Sequence, residues 1–244
     1  MTLSDAEIER YARHLMLAEV GGPGQRRLKA ARVALVGMGG VGGPAGLDLA
    51  AAGVGTLRLI DADVVALSNL QRQVQFATAD VGRPKVEAAG ERLTALNPHL
   101  TIETRPVALT PANARDLLAG CEVVIDGTDD FATRLAVNAA CLALGVPLVS
   151  GAIGRWTGQV GVFAGRPCWA CLTPEPPPEA ETCARVGVIG ALAGIVGSLC
   201  ALETVKLITG AGQPLTGRLL ILDGLTGAAR TVRVGADPAC KACS

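Results

Sequence analysis

The chain of 244 residues is half hydrophobic, 18% charged and formally neutral. That balance excludes a disordered chain and gives no electrostatic handle for nucleic acid or an anionic membrane, and the length suffices for one large α/β domain with a full core. With 2% aromatics the core must come from Val, Leu, Ile and Ala, and eight cysteines behind a polar start without a secretory leader fit metal or thiol chemistry in a cytoplasmic protein.

In chain order, Ser4 and Glu7 have capping-box spacing and predict a helix to about Leu17. Ile8, Tyr11 and Leu15 would form its buried face, with Arg13 off that stripe. A glycine-rich link, Gly21 to Gly24, separates it from a short helix, Gln25 to Ala30. Val33 to Val36 then reads as a buried strand. Gly37, Gly39 and Gly42 follow in the pattern G-x-G-x-x-G, ahead of a small-residue helix to Ala52 and a second strand, Thr56 to Ile60, ending in Asp61. Strand, glycine turn, helix, strand and acid make the nucleotide-binding βαβ unit. Gly37 permits the tight turn, Gly39 admits a phosphate to the backbone, and Gly42 lets helix and sheet approach. The helix N-terminus offers unpaired N–H groups to an anion, and Asp61 offers acceptors to a ribose hydroxyl.

Asp63 to Phe76 lacks periodicity and reads as an ordered loop. Beyond it the pattern alternates: helix Pro84 to Leu96, strand Thr101 to Val107, helix Thr110 to Leu118, strand Glu122 to Asp126, helix Phe131 to Leu144, strand Val146 to Val149. The rhythm changes at Ser150. A strand over Gln159 to Phe163 precedes CWACLTPEPPPEAETCARVG, whose prolines disfavour any regular element. Ile189 to Ile208 reads as a buried or subunit-interface helix. Arg218 to Leu222 and Ala229 to Val234 read as a hairpin. The expected fold is a Rossmann-like, mostly parallel α/β sheet continued by antiparallel C-terminal strands. It forms a single domain over 1–244, with a helical arm (1–30), a nucleotide-binding part (31–150) and a C-terminal part (151–244).

Three constellations carry chemistry. Cys168-x-x-Cys171 and Cys240-x-x-Cys243 have the spacing of a closed four-cysteine zinc shell, which is structural because no position stays open for water. Asn69, Arg72 and Lys85 follow the Asp61 strand end, where two cations suit a triphosphate. Asp129 and Asp130 close the central strand, and the spacing predicts Asp130 as helix cap and Asp129 as Mg²⁺ ligand.

Together, ERYARH, GMGGVG, DAD, SNLQRQ, GRPK, GTDD and the two C-x-x-C pairs resemble the MoeB/ThiF/HesA adenylyltransferases, relatives of ubiquitin-activating enzymes, over nearly the whole chain. The resemblance implies ATP rather than NAD. It implies as substrate a β-grasp sulfur-carrier protein with a C-terminal Gly-Gly, and makes 151–244 the carrier-binding and zinc part. It places Gly40 against the nucleotide and Asp61 on the ribose. Ser68, Asn69, Leu70, Gln71, Arg72, Lys85, Asp129 and Asp130 would line the ATP site, and Arg13 would reach it from the other subunit of a homodimer. Cys183 stands where some members carry a thiol that handles the activated carrier. Many members have Asn at position 130, and some carry a rhodanese domain, so here the persulfide donor would be a separate protein. Two alternatives remain at this point: an NAD-dependent dehydrogenase, favoured by the glycine pattern alone, and a zinc-stapled dimeric scaffold without catalysis.

Overall fold

Alternating helices and apolar runs build one eight-stranded sheet in the computed structural model, which describes residues 2–173 and 187–244. The N-terminal arm is α1 (Asp5–Arg10), α2 (Ala12–Leu15) and α3 (Gly21–Ala30). The nucleotide half runs β1 (Arg32–Val36), α4 (Gly42–Ala52), β2 (Thr56–Ile60), α5 (Lys85–Leu96), β3 (Thr101–Arg105), α6 (Ala114–Leu118), β4 (Val123–Asp126), α7 (Phe131–Leu144) and β5 (Leu148–Gly154). The remainder is β6 (Thr157–Phe163), α8 (Trp169–Leu172), α9 (Gly190–Thr209), β7 (Arg218–Asp223) and β8 (Ala229–Arg233). The strand order is β3-β2-β1-β4-β5-β6-β7-β8. The first five are parallel and the last three antiparallel, as expected.

This order fixes where a ligand can sit. From β1 the chain winds outward through β2 and β3, then returns to β4 on the other side of β1. The crevice opens at that switch point, beyond the carboxyl ends of β1 and β4. Both strands are buried throughout apart from Arg32, so they form a rigid floor.

Glycines in β5 and β6 admit the long apolar helix α9. A Cβ on Gly151 would lie 2.8 Å from Cys200 Sγ, and one on Gly158 would lie 2.6 Å from Val196 Cγ2. By length and composition α9 could cross a membrane. Its inner face is instead committed to the sheet, with Val196 and Cys200 fully buried, while Ile195 and Leu202 on the outer face are half exposed.

The structure corrects several expectations. The first helix breaks at Tyr11, whose ring is pinned against Gly53, where a Cβ would sit 2.5 Å from it. Its hydroxyl accepts from Asn97 Nδ2 (2.8 Å). Ile8, expected inside, is 46% exposed. Gly21 to Gly24 is no link but the first turn of α3, where the N–H groups have no intrahelical partner and Pro23 costs nothing. β5 runs on past Val149 to Gly154 because β6 pairs with it to the end. A one-turn helix, α8, bridges Cys168 and Cys171. The reading of the proline-rich stretch, and of Cys183 in it, falls outside the described residues.

Candidate nucleotide site and cysteine cluster

A cleft of about 610 Å³ opens at the switch point. Its floor is the glycine turn. Gly37 has φ 85°, the left-handed value the tight turn requires. A Cβ on Gly42 would lie 1.9 Å from Gly37 O, so helix and strand meet there without room for any side chain. Gly39 is different: the nearest protein atom to its virtual Cβ is Gln73 Nε2 at 3.7 Å. A methyl group at Gly39 would thus clash with nothing in the protein. No side chain caps α4; Gly43 N–H donates to Gly39 O (3.0 Å) and Ala45 N–H to Val41 O (3.2 Å), so what the helix start offers an anion is the positive end of its dipole.

Asp61 closes the cleft at the end of β2. Met38 N–H donates to its Oδ2 (2.7 Å) and Asp63 N–H to its Oδ1 (2.8 Å), which ties the acid to the turn. Burial pushes its pKa up, against the opposing pull of Lys85 and the two N–H donors. Lys85 is itself buried and pairs with exposed Asp63 (2.7 Å). Arg72 lines the cleft and donates to Ser68 O (3.2 Å). Asn69 also lines it, with its Oδ1 accepting from Ala66 N–H (3.3 Å). Ser68, Leu70 and Gln71 share that loop but are not among the lining residues.

Asp129 and Asp130 line the opposite wall, and Asp130 is the helix cap that its spacing predicts. Asp130 caps α7 by accepting from Thr133 N–H and Oγ1 (2.7 Å each), and those bonds to Thr133 hold its pKa down. Asp129 is exposed, and its carboxylate has no partner among the described residues.

Sequence reasoning missed the groups that hold these walls. Gln75 is buried and donates to Met38 O (2.9 Å), bracing the glycine turn from behind. Gln73 lines the cleft, and its Oε1 is buried without a hydrogen bond. Arg134 donates to Ser150 Oγ (3.0 Å), Gly151 O (2.8 Å) and Thr128 O, and its guanidinium lies over the Trp169 ring (5.8 Å). It also faces the fully buried Asp126 carboxylate at 3.9 Å. Arg134 and Asn138, four apart, stand on the inner face of an otherwise apolar helix. That i,i+4 polar pair was the visible signal.

Arg13 does not reach this cleft. It follows Tyr11, which packs on Gly53 at the C-cap of α4, whereas the glycine turn lies at the N-terminus of α4. A helix of 11 residues separates the two by about 16 Å. Arg13 is exposed and contacts Met16 Sδ (3.9 Å).

The four cysteines come together 72 residues apart in sequence: Cys168 Sγ lies 3.7 Å from Cys240 Sγ, and Cys171 Sγ lies 3.4 Å from Cys243 Sγ. All four sulfurs fall within 4.8 Å of one another. Zn–S bonds of about 2.3 Å give tetrahedral sulfur–sulfur edges of about 3.8 Å, so the cage matches that ion. Asn138 orients it by donating to Cys168 Sγ (3.6 Å) and accepting from Trp169 N–H (2.9 Å).

Fold and site together define a class: a doubly wound α/β domain with a glycine-turn cleft at its switch point, a free carboxylate facing it, and a four-cysteine cluster tying down the C-terminus. The ThiF family matches residues 11–242, and the chain belongs to that family. It is 45% identical to the sulfur carrier protein adenylyltransferase of Thermus thermophilus, across 100% of this chain and 93% of that one. It is 43% identical to the molybdopterin-synthase adenylyltransferase of Escherichia coli, across 99% and 98%. The crystal structure of E. coli MccB shares the fold, with a TM-score of 0.86 over 99% of this chain and 74% of that one at 21% identity. Membership of this family sets the dehydrogenase alternative aside.

Proposed function

We propose that this protein adenylates the C-terminal carboxylate of a small ubiquitin-like sulfur carrier. The observation that carries this reading is the cleft over the glycine turn, lined together by Gly39, Arg72, Lys85 and the unpartnered Asp129 carboxylate, on a ThiF-family frame. The carrier's carboxylate attacks the α-phosphorus of ATP, and pyrophosphate leaves. The acyl adenylate so formed has the leaving group that a free carboxylate lacks. No general base is required, because the nucleophile is already ionised.

Two anions must meet, so the residues have to neutralise charge before they do anything else. Arg72 and Lys85 present cations where negative charge builds on the phosphate oxygens, and the α4 N-terminus adds the positive end of its dipole. Asp61 keeps one lone pair on each oxygen for the ribose after accepting from Met38 and Asp63. Asp129 would hold Mg²⁺, which supplies further positive charge to the phosphates. Zn²⁺ suits the four-cysteine cage and would serve there as a structural ion. A homodimer would bring Arg13 of a second copy to the cleft, and a Gly-Gly tail threads a narrow entrance because it has no side chains. A separate persulfide donor would then attack the adenylate, expelling AMP and leaving an acyl disulfide, whose S–S bond a second thiol would cleave reductively to give the thiocarboxylate.

Carrier-dependent ATP–pyrophosphate exchange tests the reading. Arg72→Ala and Asp129→Ala should each abolish exchange while leaving the melting temperature unchanged. Exchange at wild-type rates in both variants would overturn the assignment.

A further inference from the structure

The β5–β6 hairpin turns through only Arg155 and Trp156, since Gly154 pairs with Thr157. Two-residue hairpin loops demand left-handed backbone, which is why Asn-Gly or Gly-X fills them. Here Arg155 adopts φ 52°, the one non-glycine residue with positive φ among those described. A bulky side chain held in that region stores backbone strain of the kind found at ligand clamps. Neighbouring backbone keeps it there. Arg155 N–H donates to Gly187 O (3.0 Å), Ile189 N–H to Arg155 O (3.2 Å), and Gly224 N–H to Trp156 O (2.7 Å).

Those three bonds gather an apolar rim around the cation. Ile189 is 39% exposed, Trp156 43% and Leu225 71%. Trp156 is one of only two tryptophans in the chain. Among the described residues no carboxylate pairs with the Arg155 guanidinium. Asp223 accepts at Oδ1 from the N–H groups of Leu225 (2.9 Å) and Thr226 (3.3 Å). An exposed tryptophan, two exposed aliphatics and an unpaired arginine have the composition of a binding hot spot.

The rim is continuous with the nucleotide cleft. Ala152 and Ile153 line that cleft and lead directly along β5 into the turn. A tail whose carboxylate reaches the phosphate turn by this wall carries the rest of its protein to the rim. We infer that the Arg155–Trp156 turn, with Ile189 and Leu225, docks the folded body of the carrier through an apolar face with a carboxylate beside it. The inference rests on the adenylation reading above.

The test is exchange kinetics with a purified ubiquitin-like sulfur carrier ending in Gly-Gly, and in parallel with a peptide of that carrier's last six residues. Arg155→Gly removes the guanidinium and suits the left-handed backbone, so it should hold the melting temperature or raise it by up to about 3 °C. It should also raise KM for the carrier about tenfold, with ATP affinity unchanged. Leu225→Asp, on a solvated side chain, should raise that KM similarly with no change in melting temperature. The peptide, which lacks the body, should react with one KM in all three proteins. Wild-type carrier KM in both variants would overturn the docking rim, as would equal losses for carrier and peptide. So would a change in the sedimentation of the Leu225→Asp enzyme alone, which would assign the rim to a second copy. Absence of any carrier-dependent exchange in the wild type would instead overturn the adenylation reading.

Discussion

Gly39 and Gly42 answer to different neighbours. Gly42 faces the backbone oxygen of Gly37, which cannot withdraw, at 1.9 Å from a virtual Cβ. Gly42→Ala should therefore cost at least about 1–3 kcal/mol, an overpacking penalty seen as a melting temperature several degrees lower. Gly39→Ala meets no protein atom within 3.7 Å, so it should melt like wild type. Its methyl group would fill the space over the turn, and ATP affinity measured by titration calorimetry should fall at least tenfold. If Gly39→Ala bound ATP normally, the phosphate would lie elsewhere. The role of each glycine was legible because the motif itself encodes the turn. The supports of Gln75, Asp126 and Arg134 were not, because their partners come from residues remote in sequence or from backbone oxygens that no residue type announces.

At the scale of the element, α7 shows how local chemistry sets boundaries and leaves one carboxylate free. Asp130 at its start and Gly145 in left-handed conformation at its end made both limits readable. Asn caps as well as Asp, so Asp130→Asn should keep both stability and exchange, whereas Asp130→Ala should lose about 1 kcal/mol by thermal denaturation. The arm was harder to read, since its break at Tyr11 answers to Gly53 and Asn97 rather than to neighbours in sequence. Its anchor is Glu7, whose Oε2 accepts from Lys29 Nζ (2.7 Å) and Ser4 N–H (2.8 Å). Burial pushes the Glu7 pKa up, but the contacts from Lys29 and Ser4 prevail and hold it at about 2, below the ordinary 4.5. The folded state thus prefers the charged form. Its stabilisation is complete above pH 4.5 and drains away as the pH falls toward 2. Lys29→Met should lower the melting temperature at pH 7 by roughly 2–4 °C, and the gap from wild type should narrow across that acid window. A gap independent of pH would show that the lysine acts by packing alone.

For the whole molecule, the decisive geometry is the distance between the arm and the cleft. The mostly parallel sheet, its antiparallel continuation and the four-cysteine cage followed from periodicity and spacing, whereas the strand order did not. Which copy's arm serves which cleft did not, because no pattern within one chain encodes a second chain. The structure narrows the choice: Arg13 sits beside the C-terminal end of α4, about 16 Å of helix away from the glycine turn. An arginine side chain cannot span that distance within one copy, so under the proposed reaction Arg13 would have to act from a second copy. Arg13→Ala and Arg72→Ala should each be inactive alone. Mixed and allowed to exchange subunits, half the dimers would be hybrids. In each hybrid, one cleft would combine an intact Arg72 with an intact Arg13 from its partner, and the other cleft would lack both. The mixture should recover about a quarter of wild-type exchange activity. If both residues acted within one chain, every cleft would keep one defect and the mixture would stay inactive, so the recovered fraction measures directly whether the site is shared.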